Sequence, residues 1–198
     1  MIEISSINNA EPYKVFENFF KKALDANQGS VDAMAISSFN DVTNEVESRF
    51  VNLKYINGSD FYFFTNYNSP KASDFLNHKQ ISVLFYWDQI NTQIRIKANV
   101  KKCSKSFSSQ HFENRDKTKN AIAISSNQSH KIKSYEAVLE NFNKTLNQED
   151  LSKCPDYWGG YMFTPYYFEF WEGNESRINK RKAYELIDDA WINYFLQP

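Results

Sequence analysis

Hydrophobic residues recur at helical spacing near the start of the chain. Within residues 11–26, apolar side chains fall on one face of a helix and lysines fall on the other. The apolar positions are Tyr13, Phe16, Phe20, Ala23 and Leu24. This pattern predicts an amphipathic N-terminal helix over 11–26 that packs on the rest of the fold.

Segments rich in β-branched and aromatic residues follow, and they predict strands. The segments are 31–37, 49–55, 60–65, 81–86 and 93–100. Residues 39–47 are polar and predict a turn, and Asn57-Gly58 is a strong hairpin signal. In the last segment Ile94 and Ile96 alternate with Gln93 and Arg95, as a half-buried strand requires. Short connections between successive strands favour an antiparallel barrel, so we predict a mainly β fold with flanking helices.

Three further helices are predicted later in the chain. Ser69-Pro70-Lys71 is an N-terminal helix signal, and the helix should run to about Asn77. Its free backbone N–H groups and Lys71 together suit a phosphate, although an ordinary capped connector helix has the same pattern. The other two helices are expected over 106–115 and 131–147, with a polar loop over 147–155.

Composition limits the possible functions. The chain has 198 residues, 41% of them hydrophobic, which predicts a single domain over 1–198 with a sizeable core. A net charge of -1 gives no general attraction to nucleic acid or membrane, and no run is long and apolar enough to span a bilayer. The two cysteines lack CxxC spacing, and the N-terminus lacks a signal-peptide layout, so we expect a reduced, cytoplasmic protein. The three histidines lack metal-ligand spacing, so no metal is expected.

The stretch from Tyr157 to Arg181 combines an aromatic wall with carboxylates, arginines and an asparagine. Such a combination suits a flat, partly polar aromatic ligand, although a core strand with a solvated turn has the same composition. The five glycines form no G-x-G-x-x-G or P-loop pattern. Side chains therefore have to hold any phosphate of that ligand.

Several blocks of the chain resemble, in the same order, the motifs of the pyridoxamine 5'-phosphate oxidase family. They are SRFVNLK at 48–54, FFTNYNSPKA at 63–72, ISVLFYW at 81–87 with Gln93, NQS at 127–129, and WGGY, FEFWEG and RINKR within the C-terminal signature segment 157–198. The resemblance covers nearly the whole chain from about Glu11. It implies an FMN-binding split β-barrel that works as a homodimer.

The resemblance also implies which side chains bind ligands. The implied FMN contacts are Arg49, Phe50, Val51, Lys54, Phe64, Thr65, Ser69, Lys71, Gln93, Gln128, Ser129, Trp171 and Arg181. The implied substrate contacts are Lys54, His111, Arg115, Lys119, Arg177 and Asn179, and the last two form the implied catalytic pair.

Among the departures from the family pattern, four put the identity of the substrate in question. Pro70 replaces a basic residue, which removes one phosphate cation. His111 and Lys119 replace the usual tyrosine and serine, although both can still donate to a phosphate in a basic cluster with Arg115. Asn179 replaces the histidine of the R-x-H motif and cannot take up a proton near neutral pH.

Family membership implies an oxidase that passes a hydride from pyridoxamine or pyridoxine 5'-phosphate to FMN and then reduces O2 to H2O2, giving pyridoxal 5'-phosphate. A second interpretation is an oxidase of the same fold acting on another flat aromatic substrate, as in phenazine biosynthesis, which the departures favour. A third is a protein that binds FMN without turnover.

Overall fold

Ten strands and five α-helices occur in residues 2–198, the part of the chain that the computed structural model describes. The strands are β1 Glu3–Ile4, β2 Ala33–Asn40, β3 Glu45–Asn52, β4 Tyr55–Asn57, β5 Asp60–Asn66, β6 Gln80–Trp87, β7 Thr92–Lys102, β8 Trp158–Glu172, β9 Lys180–Ile187 and β10 Ala190–Leu196. The helices are α1 Glu11–Asp25, α2 Pro70–Asn77, α3 Lys105–Asn114, α4 Lys117–Ser125 and α5 Tyr135–Gln148, with a short 3-10 turn at Asp88–Ile90.

All the strands belong to one sheet, and β8 is at its centre. The order is β1-β4-β5-β8-β7-β6-β2-β3, and β9 also pairs with β8 and carries β10. Every pairing is antiparallel except the short β1–β4 pair. The sheet curls until β3 lies close to β5, but the hydrogen-bonded path ends at β3, so the barrel stays split along this line. The predicted mainly β fold with flanking helices is confirmed.

Helix α1 covers one end of the barrel through its apolar face. Phe16 is fully buried, and its ring meets Phe61 and Phe85 edge-on at 5.2 Å and 5.6 Å between centroids. Tyr13 contacts Phe168 of β8 in the same way at 5.1 Å. Such edge-to-face pairs add to the burial of apolar area that stabilises the core. The N-terminal helix predicted from the 3.6-residue period is confirmed.

Strand β7 shows the alternation that its sequence predicted. Ile94, Ile96 and Ala98 are fully buried, whereas the Arg95 side chain between them is half exposed. The inner row packs in the barrel core and the outer row lies on the opposite face of the sheet. The Asn57-Gly58 hairpin is also present: it joins β4 to β5, and Gly58 has a φ of 59°.

Several predicted boundaries are wrong. The expected turn over 39–47 is mostly strand, because β2 extends to Asn40 and β3 begins at Glu45. Polar side chains on the exposed face of this edge hairpin made it look like a loop. Segment 49–55 is the end of one strand and the start of another, and the buried Leu53 between them gives its backbone N–H to Asp32.

Caps set the starts of two helices. The helix expected over 131–147 begins at Tyr135, because the Ser134 hydroxyl accepts from the Ala137 N–H. The helix expected over 106–115 is α3, which the Ser104 hydroxyl caps by accepting from the Phe107 N–H. Ser69 and Pro70 begin α2 as predicted. Within residues 2–198, no helix combines the length and the apolar character that crossing a membrane requires.

Candidate functional site

A cleft of about 650 Å³ opens along the split between β3 and β5. The start of α2, the end of α3, the second half of α4 with the segment after it, and the first residue of β8 complete its walls. The cleft brings together most of the predicted ligand-binding residues: Arg49, Phe50, Val51, Lys54, Phe64, Thr65, Lys71, His111, Arg115, Gln128 and Ser129.

Lys71 forms the buried cationic end of the cleft. Its ammonium group donates to the Thr65 hydroxyl at 3.0 Å and to the Ser69 hydroxyl at 3.1 Å. The side-chain oxygen of Gln128 accepts from Thr65 Oγ1 and from the Asn66 backbone N–H, both at 3.3 Å. Burial, and then the nearby charge of Arg49, lower the pKa of Lys71 to about 8. An anion here would restore the charged form, so this end of the cleft favours a phosphate.

Arg49 provides the second cation at this end. Its Nη1 donates to the Ser38 hydroxyl at 2.6 Å, and Ser38 in turn donates to the buried Asp74 carboxylate at 2.6 Å. Its Nη2 forms an ion pair with Glu47 at 2.7 Å. The Ser38–Asp74 pair ties the guanidinium to helix α2, so both cations are held by the same part of the fold.

Stacked rings line the other side of the cleft. The rings of Phe64 and His111 are nearly parallel with centroids 3.7 Å apart, and Phe64 also stacks on Trp158 at 5.3 Å. The Arg115 guanidinium lies over the Trp158 ring, 5.0 Å from its centroid, and also donates to Asn120. An aromatic wall beside a cation suits a flat anionic ligand.

The predicted basic cluster of His111, Arg115 and Lys119 differs in the structure. His111 is bonded through Nδ1 to the Tyr55 hydroxyl at 2.6 Å. Burial, and then the charges of Arg115 and Lys54, lower its pKa to about 4. His111 is therefore neutral at pH 7. Lys119 lies on α4 outside the cleft lining of this chain, so Arg115 remains as the cation of this group.

Lys54 lines the cleft, but its charge is already paired. Its ammonium group contacts the Asp32 carboxylate at 2.8 Å, and both side chains are partly exposed. A ligand anion that binds Lys54 has to share it with this carboxylate, which weakens the attraction.

A second set of predicted residues lies away from the cleft, on the outer face of the sheet. Strand register places Gln93 opposite Trp171, and Trp171 opposite Arg181, in one row across β7, β8 and β9. Arg181 gives Nε and Nη2 to the same oxygen of Glu169, at 2.9 Å and 2.7 Å. Glu169 is almost fully buried and also accepts from Arg95 at 2.9 Å.

Arg177 and Asn179, the predicted catalytic pair, are in the turn between β8 and β9. The side-chain oxygen of Asn179 accepts from the Asn174 backbone N–H at 3.0 Å, which closes the turn. Arg177 has a φ of 62°, in the left-handed region, which only a firmly held turn imposes on an arginine. Arg177 is exposed and Asn179 is partly buried, and neither is among the described residues that line the cleft.

Sequence reasoning assigned no ligand role to Trp158, Asn66, Ser126 or Glu47, which also line the cleft. Trp158 was visible as the first residue of the WGGY motif. The motif needs glycine at position 160 for a steric reason. A Cβ there would lie 2.9 Å from Cys103 Sγ and 3.1 Å from Phe64 Cε1. A larger residue would displace the Phe64 ring from the stack. Among residues 2–198 there is no group of three or more His, Cys, Asp or Glu side chains arranged to hold a metal.

Comparisons with known proteins identify the family of the chain. The family model described as pyridoxamine 5'-phosphate oxidase matches residues 20–146. A second model, described as pyridoxine 5'-phosphate oxidase C-terminal dimerisation region, matches residues 158–198. The chain belongs to the pyridoxamine 5'-phosphate oxidase family.

Curated relatives of this family match along nearly the whole chain. Pyridoxine/pyridoxamine 5'-phosphate oxidase 2 of Hydrogenovibrio crunogenus is 34% identical over 195 residues, covering 96% of this chain and 91% of the relative. The pyridoxine/pyridoxamine 5'-phosphate oxidase of Colwellia psychrerythraea is 33% identical over 201 residues, covering 99% and 90%.

Solved structures confirm the FMN-binding split β-barrel fold of the family. PhzG from Burkholderia lata, solved in complex with tetrahydrophenazine-1-carboxylic acid, has a TM-score of 0.89 at 23% identity, covering 95% of this chain and 93% of its own. An FMN binding protein related to pyridoxamine 5'-phosphate oxidase from Nostoc punctiforme has a TM-score of 0.77 at 10% identity, covering 96% and 100%.

Proposed function

We propose that this protein is an FMN-dependent oxidase of small flat aromatic substrates, with pyridoxamine or pyridoxine 5'-phosphate as the leading substrates. The observation that carries the proposal is the cleft itself. It joins two held cations, Arg49 and Lys71, to a wall of stacked rings. Relatives named as pyridoxine/pyridoxamine 5'-phosphate oxidases support the same substrate class.

The donor set of the cleft fits FMN. Lys71, Arg49 and the Thr65 hydroxyl would hold the phosphate, with Gln128 and Ser129 beside them, while the buried Ser69 supports Lys71 from outside the cleft lining. Phe50, Val51, Lys54 and Phe64 line the same cleft and would contact the rest of the cofactor. When bound, FMN supplies two-electron redox chemistry between the substrate carbon and dioxygen, with hydrogen peroxide as the product.

A second copy of the chain would complete the site in a homodimer. Gln93, Trp171 and Arg181 form a row on the outer face of the sheet, and the C-terminal part that contains Trp171 and Arg181 matches a dimerisation region. The same face carries exposed apolar side chains, among them Phe50 and Tyr86. We propose that this face packs on the partner and brings the row to the partner's cleft.

Arg177 and Asn179 would act on the substrate from the same partner edge. The turn fixes the oxygen of Asn179, which leaves its amide nitrogen free to donate to a substrate. The Arg177 guanidinium would orient the substrate against the flavin. Arg115, Lys54 and His111 would line the opposite side of the substrate, and Lys119 would approach only through movement of α4.

A second candidate substrate class is a flat aromatic carboxylate. His111 is neutral, Lys54 is paired and Lys119 lies outside the cleft lining, which leaves Arg115 as the cation of this predicted group that lines the cleft without an ion pair among residues 2–198. One cation suits a monoanion better than a phosphate dianion. PhzG, which shares the fold, was solved with such a carboxylate.

The biological setting follows from the leading substrates. Oxidation of either one would give pyridoxal 5'-phosphate, so we propose a place in the biosynthesis of that cofactor. Cys103 and Cys154 are both free thiols, which fits our proposal of a cytoplasmic location.

Anaerobic reduction of the purified holoprotein tests this proposal. We expect a yellow protein whose flavin absorbance bleaches on adding pyridoxamine 5'-phosphate and whose reoxidation in air gives hydrogen peroxide. Bleaching by a reduced phenazine carboxylate, but not by either B6 phosphate, would favour the second candidate. If neither the B6 phosphates nor the aromatic carboxylate bleaches the flavin at millimolar concentration, the proposal of an oxidase is wrong. The protein would then bind FMN without turnover.

A further inference from the structure

We infer that Glu47 is an internal counter-ion that competes with the ligand phosphate for Arg49 and thereby sets the affinity of the cleft for anions. The inference rests on the proposed function only for the identity of that anion as FMN. The cleft walls include both Glu47 and Arg49, which stand two residues apart on one face of β3.

Arg49 makes two kinds of contact: its Nη1 contacts hold the guanidinium in place, and its Nη2 contact with Glu47 can be replaced by a contact with the ligand phosphate. Nη1 donates to the Ser38 hydroxyl, which is itself buried and bonded to Asp74, and to the Glu47 backbone oxygen at 3.0 Å. Nη2 faces the Glu47 carboxylate at 2.7 Å. The fixed contacts keep the guanidinium in place when its carboxylate partner leaves.

Exposure shows which partner would move. The Glu47 side chain is 57% exposed, whereas the Arg49 side chain is 19% exposed. Rotation of Glu47 into water leaves no buried charge without a partner, because the carboxylate becomes hydrated and the ligand phosphate takes its position. Movement of Arg49 would break the Ser38 contact and expose the Ser38–Asp74 pair.

The charges at this end of the cleft nearly balance. Arg49 and Lys71 are positive, and Glu47 and Asp74 are negative. Asp74 supports the site from beneath through Ser38 and Asn40, so Glu47 is the carboxylate that faces the ligand. A phosphate dianion must displace Glu47 and then tolerate its charge nearby. Both effects weaken binding, and partly exposed ion pairs of this kind change affinity by about two- to fivefold.

The substitution Glu47→Gln tests the inference, and Glu45→Gln is its matched control. Glu45 is exposed on the same strand, carries the same charge and forms no ion pair within the described residues 2–198. Apoprotein of each variant would be titrated with FMN, with riboflavin, which lacks the phosphate, and with inorganic phosphate followed by thermal shift.

We expect Glu47→Gln to tighten the binding of FMN and of inorganic phosphate about two- to fivefold and to leave riboflavin affinity unchanged. Glu45→Gln should bind each ligand as the wild type does. In an Arg49→Ala background, Glu47→Gln should have no effect, because the guanidinium for which Glu47 and the phosphate compete is then absent. Equal effects of the two glutamine variants, equal tightening of riboflavin, or weaker phosphate binding would each overturn the inference. If FMN fails to bind any variant, the proposed function fails, and the inorganic phosphate titration still decides the role of Glu47.

Discussion

The cleft holds most of the predicted ligand-binding residues and the β8–β9 edge holds fewer, and the side chains of the two regions are organised differently. In the cleft, Lys71 is 4% exposed and Arg49 is held by Ser38, so the cations are fixed before an anion arrives. At the edge, Arg177 is exposed on a turn, whereas Asn179 is bonded to the Asn174 backbone and Arg181 to Glu169.

The difference indicates that the two regions bind different parts of the ligands. A phosphate needs preorganised charge, and the cleft of one chain supplies it without help. The rings of the cofactor and the substrate need contacts that the outer edge can supply only to a neighbouring molecule. We therefore propose that each chain holds one complete anion site and part of a ring site, and that a homodimer joins these unlike parts.

The largest effect that separates the two regions is expected from Arg49→Ala. Loss of a charge-assisted contact to the phosphate costs about 1.5–3 kcal/mol, so FMN affinity should fall about ten- to a hundredfold. Riboflavin affinity should hardly change, because riboflavin lacks the phosphate, which is the part of FMN that Arg49 would contact. Isothermal titration of both ligands measures the ratio, and Lys101→Ala removes an equal charge from an exposed position on β7 as a control. Unchanged FMN binding would place the phosphate elsewhere.

A smaller effect is expected from pH, through Lys71. Its pKa is lowered to about 8, so the free protein loses this charge as pH rises through 8. FMN phosphate is already a dianion above pH 7, so the ligand contributes no slope there. Affinity should be close to its maximum near pH 7 and about tenfold lower at pH 9, where binding takes up a proton. Titrations in two buffers of different ionisation enthalpy measure that uptake, and Lys71→Met should abolish both the slope and the uptake.

Strong periodicity made part of the fold predictable from sequence. The apolar face of α1 and the alternation of β7 reflect burial against one core, and each pattern extends over several turns or residues. Helix α4 has no comparable apolar stripe, and the β9–β10 hairpin turns at Asp188 and Asp189, which both have positive φ values without glycine. Such a turn carries little signal in a single sequence.

The cleft was predictable as a set of residue types, but its electrostatics were not. Lys71 and Arg49 were expected beside a phosphate, and the structure places them together. The burial that leaves His111 neutral depends on Tyr55 and Phe64, which are distant in sequence. The pairing of Glu47 with Arg49 on one strand face was open to sequence reasoning and was missed because that segment was predicted as a turn.

The central claim is that each site combines the cleft of one chain with the outer row of another, and a mixed dimer tests it directly. One chain would carry Arg49→Ala with Lys71→Met, and the other Trp171→Ala, with different tags so that only mixed dimers are purified. Each homodimer should bind FMN poorly, whereas the mixed dimer should recover tight binding in about half of its sites, because one intact cleft then meets one intact row. Failure of the mixed dimer to recover any tight FMN site would show that each site is built within a single chain and would contradict this account.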